Sequence, residues 1–506
     1  TAGDSVTQTG ALSSTGGAST LTVTTLNNAG ALITLTNPNN NFANINLSAR
    51  NAANTANTAG AIAYRDLNGV NAAQIRTTST VDLTAGGAIT DSGTLVGSTL
   101  TARTLNNAGA AITLDTATNN FTTINLQSRN AADTADANGA IVYRDTDGFD
   151  IAAARTLNTV TLTGGGAITD SGTLTGSTLT ATTLNNAGAA ITLDTLTNNF
   201  TNVSLNARNA ANTANTPGAI TYADANGLNL NLARTAGTLR LTTGGALTQT
   251  GTITATGVRI ASTGPVTLNN AGNAITTFAA NVTGAGNSLS FNESNGLTIG
   301  SVLGLNGVTT SNGALTVTSA TGGLTVANNV NAGTGSVTLN ANGANQTLTT
   351  NAGTNVNGSG GVALVGDNMT LNGTVTAAGQ TVTLRQFSNG RLINLGTKVA
   401  GQLGLTDAEL DRVTATTLKI GNNASGNISN TAAISPANAS TLSLETAGTI
   451  TQTATGSLTV STLIAKTRIN LGGAITLGNA TNEVATIDLR ARNAADTADA
   501  NGAITY

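Results

Sequence analysis

The sequence predicts an all-β protein, a parallel β-helix solenoid with coils of about 20 residues. Three observations predict it. A 79-residue unit recurs along the chain, and short runs inside it alternate apolar residues with Thr. The composition is rich in turn formers and poor in rings, with 60 Gly, 4 Pro and 2% aromatic residues among 506. Period-two alternation marks a strand with one buried face. Gly, Asn and Asp tolerate positive φ and supply the turns between such strands.

The repeat comes first. "LNNAGA" begins at Leu26, Leu105 and Leu184, and the same 79-residue spacing relates Phe42, Phe121 and Phe200. Arg50, Arg129 and Arg208 keep it, as do Tyr64, Tyr143 and Tyr222. The string "RNAADTADANGAI" at residues 129–141 returns unchanged at 492–504. An active site needs one constellation; identical strings at equivalent places in an array suit scaffold. Within the second copy the strand-like runs "FTTINL", "AIVY", "VTLT" and "STLTA" follow one another at steps near 20, so each repeat is expected to hold four coils.

Residues 1–263 read as a solenoid of such repeats and 264–384 as divergent coils, with "GALTV", "GSVTL" and "TVTLR" in the same strand grammar. Residues 385–430 read as coils with a short helical excursion, and 431–506 as coils with a partial fourth repeat. The excursion is "LTDAELDRV" at 405–413, where Thr406 and Glu409 fit a capping box and Asp407 lies near the helix start. It is a decorated loop or, alternatively, a partner-binding knob. Both ends of the sequence fall inside a repeat, so a longer parent chain is expected.

Stacked coils place like residues above like at about 4.8 Å. Several buried aliphatic side chains per coil, each worth roughly 1.5–3 kcal/mol, can stand in for aromatic bulk. The competing architecture is a string of immunoglobulin-like beads, which usually anchor a core on Trp or Tyr and space their strands unevenly.

Chemistry is then bounded by what is absent. The chain has no Cys and no His, which removes thiol catalysis, disulfides, Cys-based zinc sites and the commonest general base. Charged residues make up 8% with a net charge of −3, unlike the basic patches of a nucleic-acid binder. No apolar run reaches the length of a membrane-spanning helix, and "TAGDSVTQTG" is no signal peptide.

Three site readings remain. The turn after each Tyr has the form D-x-[DN]-G-x-[DN], and Asp145, Asp147 and Asp150 are its one three-carboxylate version, a calcium candidate beside the plain-turn reading. Thr-x-Thr runs raise ice binding, although outward Thr follows from β-propensity alone. A β-helical carbohydrate-active enzyme would gather acidic and basic residues at one place, whereas here they are spread thinly. No cofactor is expected, and the chain is expected not to be an enzyme.

The segment "GRLINLGTKVAGQLGLTDAELDRVTATTLKIGNNASGNIS" from Gly390, with "NSLSFNESNGLTIGSV" and "GALTVTSATGGLTV", resembles filamentous haemagglutinin-type bacterial surface exoproteins exported by two-partner secretion. The resemblance implies a right-handed β-helix, export across an outer membrane in unfolded form, and an elongated role at the cell surface. A Cys-free chain suits that route. The amino-terminal secretion domain that begins such proteins is not in this sequence.

The function expected is a non-enzymatic extracellular structural fibre of the bacterial cell surface, self-associating into fibres or lateral bundles. The alternative is an adhesin that recognises cell-surface glycans or proteins through a domain outside this sequence. The second alternative is the enzyme. No nucleic-acid partner is expected.

Overall fold

The computed structural model describes residues 1–14 and 19–506. They fall into two units, Thr1–Gly245 and Ala246–Tyr506. Each is a parallel β-solenoid, in which a short strand pairs with the strand lying one turn further along the chain.

In the first unit one inward column runs Ile33, Ile62, Val81, Leu100, Ile124 and Ile151, each opposite the next in parallel register. A second column runs Ile89, Ile112, Ile141, Val160, Leu179 and Val203. All these side chains are buried. The alternation read from the sequence therefore has its expected cause: apolar residues face in and Thr faces out. Pairing crosses from one copy to the next, as between Leu100 and Ile124, so the copies are not separate beads.

The turns are unequal. Ile33 to Ile62 spans 29 residues, Ile62 to Val81 spans 19, and Leu100 to Ile124 spans 24. The register reaches the strand of Ile191 after seven steps from Ile33. Two repeats thus make seven turns of about 22–23 residues on average. The expected four even coils per repeat become three and a half uneven ones, because the lateral loop after Arg50 or Arg129 lengthens one turn in each copy. That half turn matters: Ile33 and its counterpart Ile112 stand in different columns, so consecutive copies face opposite ways.

Neighbours one turn apart are matched in size. Phe121 lies opposite Gly97 and Phe200 opposite Gly176, with the ring edge where a Cβ on either glycine would sit, 2.7 and 2.8 Å away. In the last copy both places are smaller or larger in step: Val484 lies opposite Val460.

In the second unit, residues 289–384 use three strand columns per turn. Leu289, Leu315, Val337, Val362 and Val382 form one. Leu297, Leu324, Leu348 and Met369 form another, and Val308, Val330, Val356, Val375 and Val413 the third. Further on, Ile393, Ile428, Ile450, Ile475 and Ile504 make an all-isoleucine ladder. The divergent middle kept the grammar and so kept the fold.

The helical excursion is one short helix, Asp407–Leu410. Glu409 Oε2 accepts from the Thr406 N–H at 2.9 Å and from its hydroxyl at 3.0 Å, closing the start of the helix. Glu409 also accepts from the Leu371 N–H at 3.0 Å and from Lys398 Nζ at 2.7 Å. Asp407 and Asp411 accept backbone N–H groups of Ser435 and Ala437 at 2.6 and 3.0 Å. The helix is bonded into the coils beside it, as a decorated loop rather than a projecting knob.

The size matching gives a test. Gly176→Val should lower stability by about 1–3 kcal/mol through overpacking against Phe200. Adding Phe200→Val recreates the Val460/Val484 pair, and the double variant should lose at least about 1 kcal/mol less than the two singles together. Urea unfolding of the four proteins measures it; simple additivity would contradict the matching.

Candidate functional site

Most polar side chains that sequence reading would examine for chemistry are engaged in holding one turn to another. Three latches recur. The first is built on the Tyr-x-Asp pair. Ile141, Tyr143 and Asp145 share one strand parity and all point inward, and both Tyr143 and Asp145 are buried. Asp145 Oδ2 accepts from the Tyr143 hydroxyl at 2.5 Å and from the Phe121 N–H of the previous turn at 2.9 Å. Its Oδ1 accepts from the Asp147 N–H at 2.9 Å, which shapes the turn. Tyr64 with Asp66, and Tyr222 with Asp224, repeat the arrangement at 2.7 and 2.8 Å. At the corresponding place further along stand Phe291 and Glu293. The ring lacks a hydroxyl, and the longer acid bonds the Ile275 N–H directly at 2.9 Å.

The second latch is a buried Asn. Asn119 Nδ2 donates to Asp91 Oδ2 at 2.6 Å, and its Oδ1 accepts from the Leu95 N–H at 3.0 Å. Asn198 does the same with Asp170 at 2.6 Å. In three other copies Gln replaces the acid: Asn40 meets Gln8, Asn273 meets Gln249 and Asn482 meets Gln452. The third latch is a Thr hydroxyl. Thr156 Oγ1 donates between the carbonyls of Gly139 at 2.6 Å and Ala137 at 3.0 Å, and accepts from the Asn158 N–H at 2.9 Å. Thr77 and Thr235 match it.

The lateral loops are the exposed counterpart. In the loop at 129–136, Arg129 curls over its own segment, bonding Asp133 Oδ1 at 3.1 Å and pairing with Asp136. Asn130 Oδ1 accepts from the Thr134 N–H at 2.8 Å, and Asp133 takes a φ of 56°. Arg103, on the adjoining turn, reaches Asp133 Oδ2 at 2.7 Å. The loop at 492–499 repeats this with Lys466 on Asp496 at 2.9 Å. In the loops at 50–57 and 208–215 Asn54 and Asn212 stand in the place of Asp133, and Thr24 and Thr182 stand where the extra cations would be. Acids appear on the loop only where a cation lies on the adjoining turn.

The calcium candidates are not gathered. Asp145 points into the core as described, Asp147 Oδ2 accepts from Asn120 Nδ2 at 3.2 Å, and Asp150 accepts from the hydroxyls of Thr169 and Ser171 at 3.1 and 2.6 Å. Among the described residues no three His, Cys, Asp or Glu side chains cluster as a metal site. Strand parity was the signal that separates them: Asp145 follows Ile141 and Tyr143 onto the inner face, while Asp150 lies between inward Phe149 and Ile151. The latches were missed in the sequence, although Tyr-x-Asp recurs three times at the repeat spacing.

Burial sets the charge state of the inner acids. It pushes the Asp145 carboxyl up, against donors from Tyr143, Phe121 and Asp147, and does the same to Asp91, Asp170 and Asp224. The Tyr64, Tyr143 and Tyr222 hydroxyls are pushed up as well, so they remain donors. In the second unit burial raises Glu293 in the same way, whereas at two other acids the balance reverses. Burial of Glu445 is outweighed by Lys419 and Arg468, which hold it low, and Lys466 with Arg492 brings half-buried Asp496 to about 2.

Parallel coils, matched neighbours and inter-turn latches define a repeat-built β-solenoid protein. The chain belongs to the family described as repeats of unknown function (DUF5649), whose model matches residues 1–48, 59–127, 138–206, 217–283 and 421–489. Neither a curated protein nor a solved structure matches it. The matched segments stop short of the lateral loops at 50–57, 129–136 and 208–215, and none covers 284–420. They describe the coils.

Two outcomes are expected. Tyr143→Phe leaves Asp145 a buried acceptor short of a donor and should cost about 1–3 kcal/mol in thermal or urea unfolding; adding Asp145→Glu, the Phe291/Glu293 combination, should recover part of it. The pH response should differ by site. A raised folded pKa gives stability that is present below the ordinary carboxylate range and lost as pH rises through the folded value; a lowered one is lost as pH falls. Between pH 7 and pH 4, amide protection corrected for intrinsic exchange should rise around Asp91, Asp145, Asp170 and Asp224 and fall around Glu445. Parallel changes in the two places would contradict this assignment.

Proposed function

We propose that the chain is a non-enzymatic structural element, a solenoid segment of an extracellular fibre on the bacterial cell surface. The observation that carries the reading is the recurrence of the latches: the buried acids, amides and tyrosines of successive copies hold turn to turn at equivalent places. A side-chain inventory arranged in this way serves continuity along a stack. The likeness to filamentous haemagglutinin-type exoproteins supports the surface location, and the Cys-free sequence is compatible with export of an unfolded chain. Function of this kind is mechanical, and self-association extends it beyond one molecule.

The test is assembly of the purified chain with no other component. Analytical ultracentrifugation across a hundredfold concentration range, with electron microscopy of the concentrated sample, should show growing filaments or lateral bundles. A chain that stays monomeric while binding surface glycans on an array would support the adhesin alternative and overturn the fibre.

A further inference from the structure

Residues 284–420, which the repeat model does not cover, contain a departure from coil geometry. Ser301–Val302 and Leu305–Asn306 pair antiparallel as a small hairpin. Its base is closed by the Gly307 N–H on the Gly300 carbonyl at 2.8 Å. Arg259 braces the tip, donating from Nη1 to the Leu303 carbonyl at 2.9 Å. Leu303 at the tip has a φ of 48° and is 51% exposed. Every other described residue with positive φ is Gly, Asn or Asp, the residues for which left-handed backbone is least costly. Here a strained backbone presents a bare leucine to solvent, and strain kept at an exposed tip points to a contact that uses it.

The same unit holds a surface that fits such a tip. Where earlier copies bury Phe over Gly, the last has Val484 over Val460, and a groove of about 690 Å³ lies alongside. Half of its lining is apolar, from Pro436, Ala437, Ala439, Val460 and Ala485, and half is polar, Glu483 included. Glu483 takes part in none of the ion pairs of the described residues, and its carboxylate is opposite in charge to the Arg259 guanidinium that flanks the hairpin.

We propose that the Leu303 tip of one copy seats in the 436–485 groove of a second copy, with Arg259 facing Glu483. Tip and groove are different surfaces, so the contact is heterologous and can propagate from molecule to molecule. The inference rests on the fibre reading and names the contact that would build the fibre.

Because the chain has no Cys, cysteine cross-linking is clean. A Leu303→Cys protein mixed with an Ala439→Cys protein and oxidised should give a mixed disulfide dimer, whereas each variant alone should give little. Leu303→Gly should weaken self-association at least tenfold in ultracentrifugation while leaving the melting temperature unchanged or higher, since Gly relieves the backbone strain. Glu483→Arg should weaken it too. Assembly that persists undiminished in Leu303→Gly, without the mixed disulfide, would overturn this contact and leave the fibre reading standing. No assembly of the unaltered chain at any concentration would overturn both.

Discussion

Everything in this molecule depends on in-register parallel stacking. A side chain on one turn has its counterpart about 4.8 Å away on the next, so each position is chosen against two neighbours that may be 19 or 29 residues away in sequence. That constraint explains substitutions that look arbitrary along the chain. Gly97 and Gly176 leave room for Phe121 and Phe200, and the valines at 460 and 484 change together. Asp133 comes with Arg103 and Asp496 with Lys466, while Asn54 and Asn212 come with Thr. The copies covary within one sequence because they touch.

The half-integral number of turns per repeat adds a second layer. In the first unit the loop at 50–57 follows a strand in one column, the loop at 129–136 follows a strand in the other, and the loop at 208–215 returns to the first. The two loops without acids therefore share a side and the loop with Asp133 and Asp136 lies on the other. Alternation of loop chemistry along the sequence becomes segregation of chemistry around the coil. A repeat of four whole turns would have put all the loops in one row.

Much of this was legible beforehand, and the limits have physical causes. The fold class followed from period two and the 79-residue spacing, because alternation reports which face is buried whatever the turn length. The number of turns did not, since the step from one run to the next in sequence is not the step from one strand to its hydrogen-bonded partner: Ile112 pairs with Ile141 past an intervening strand and a lateral loop. The D-x-D-G-x-D turn read as a cation candidate because spacing alone does not distinguish an acid aimed at solvent from one aimed inward. Parity did distinguish them, and extending the strand from Tyr143 by one more alternate residue puts Asp145 in the core. The hairpin at 301–306 had no signal beyond Gly300, Gly304 and Gly307, and a leucine at positive φ is what sequence statistics argue against.

The scarcity of rings makes the latches intelligible. A coil about 22 residues long encloses a narrow interior filled mainly by Ile, Leu and Val, with a few rings, two of which (Phe121 and Phe200) lie over Gly. Adding apolar bulk cannot strengthen such a core without overpacking it. What the interior can hold at its corners is a polar group whose partners come from its own turn and the adjoining one, and a buried hydrogen bond to the adjoining turn also fixes register, because a one-residue slip leaves both partners unsatisfied. Aliphatic ladders favour stacking in any register that keeps the faces, whereas the Phe121 N–H on Asp145, and Asn119 on Asp91, satisfy only one. The stack is held by the ladders and aligned by the latches. Variation without loss of register is then confined to the lateral loops and to 284–420, which is where the molecule departs from its own repeat.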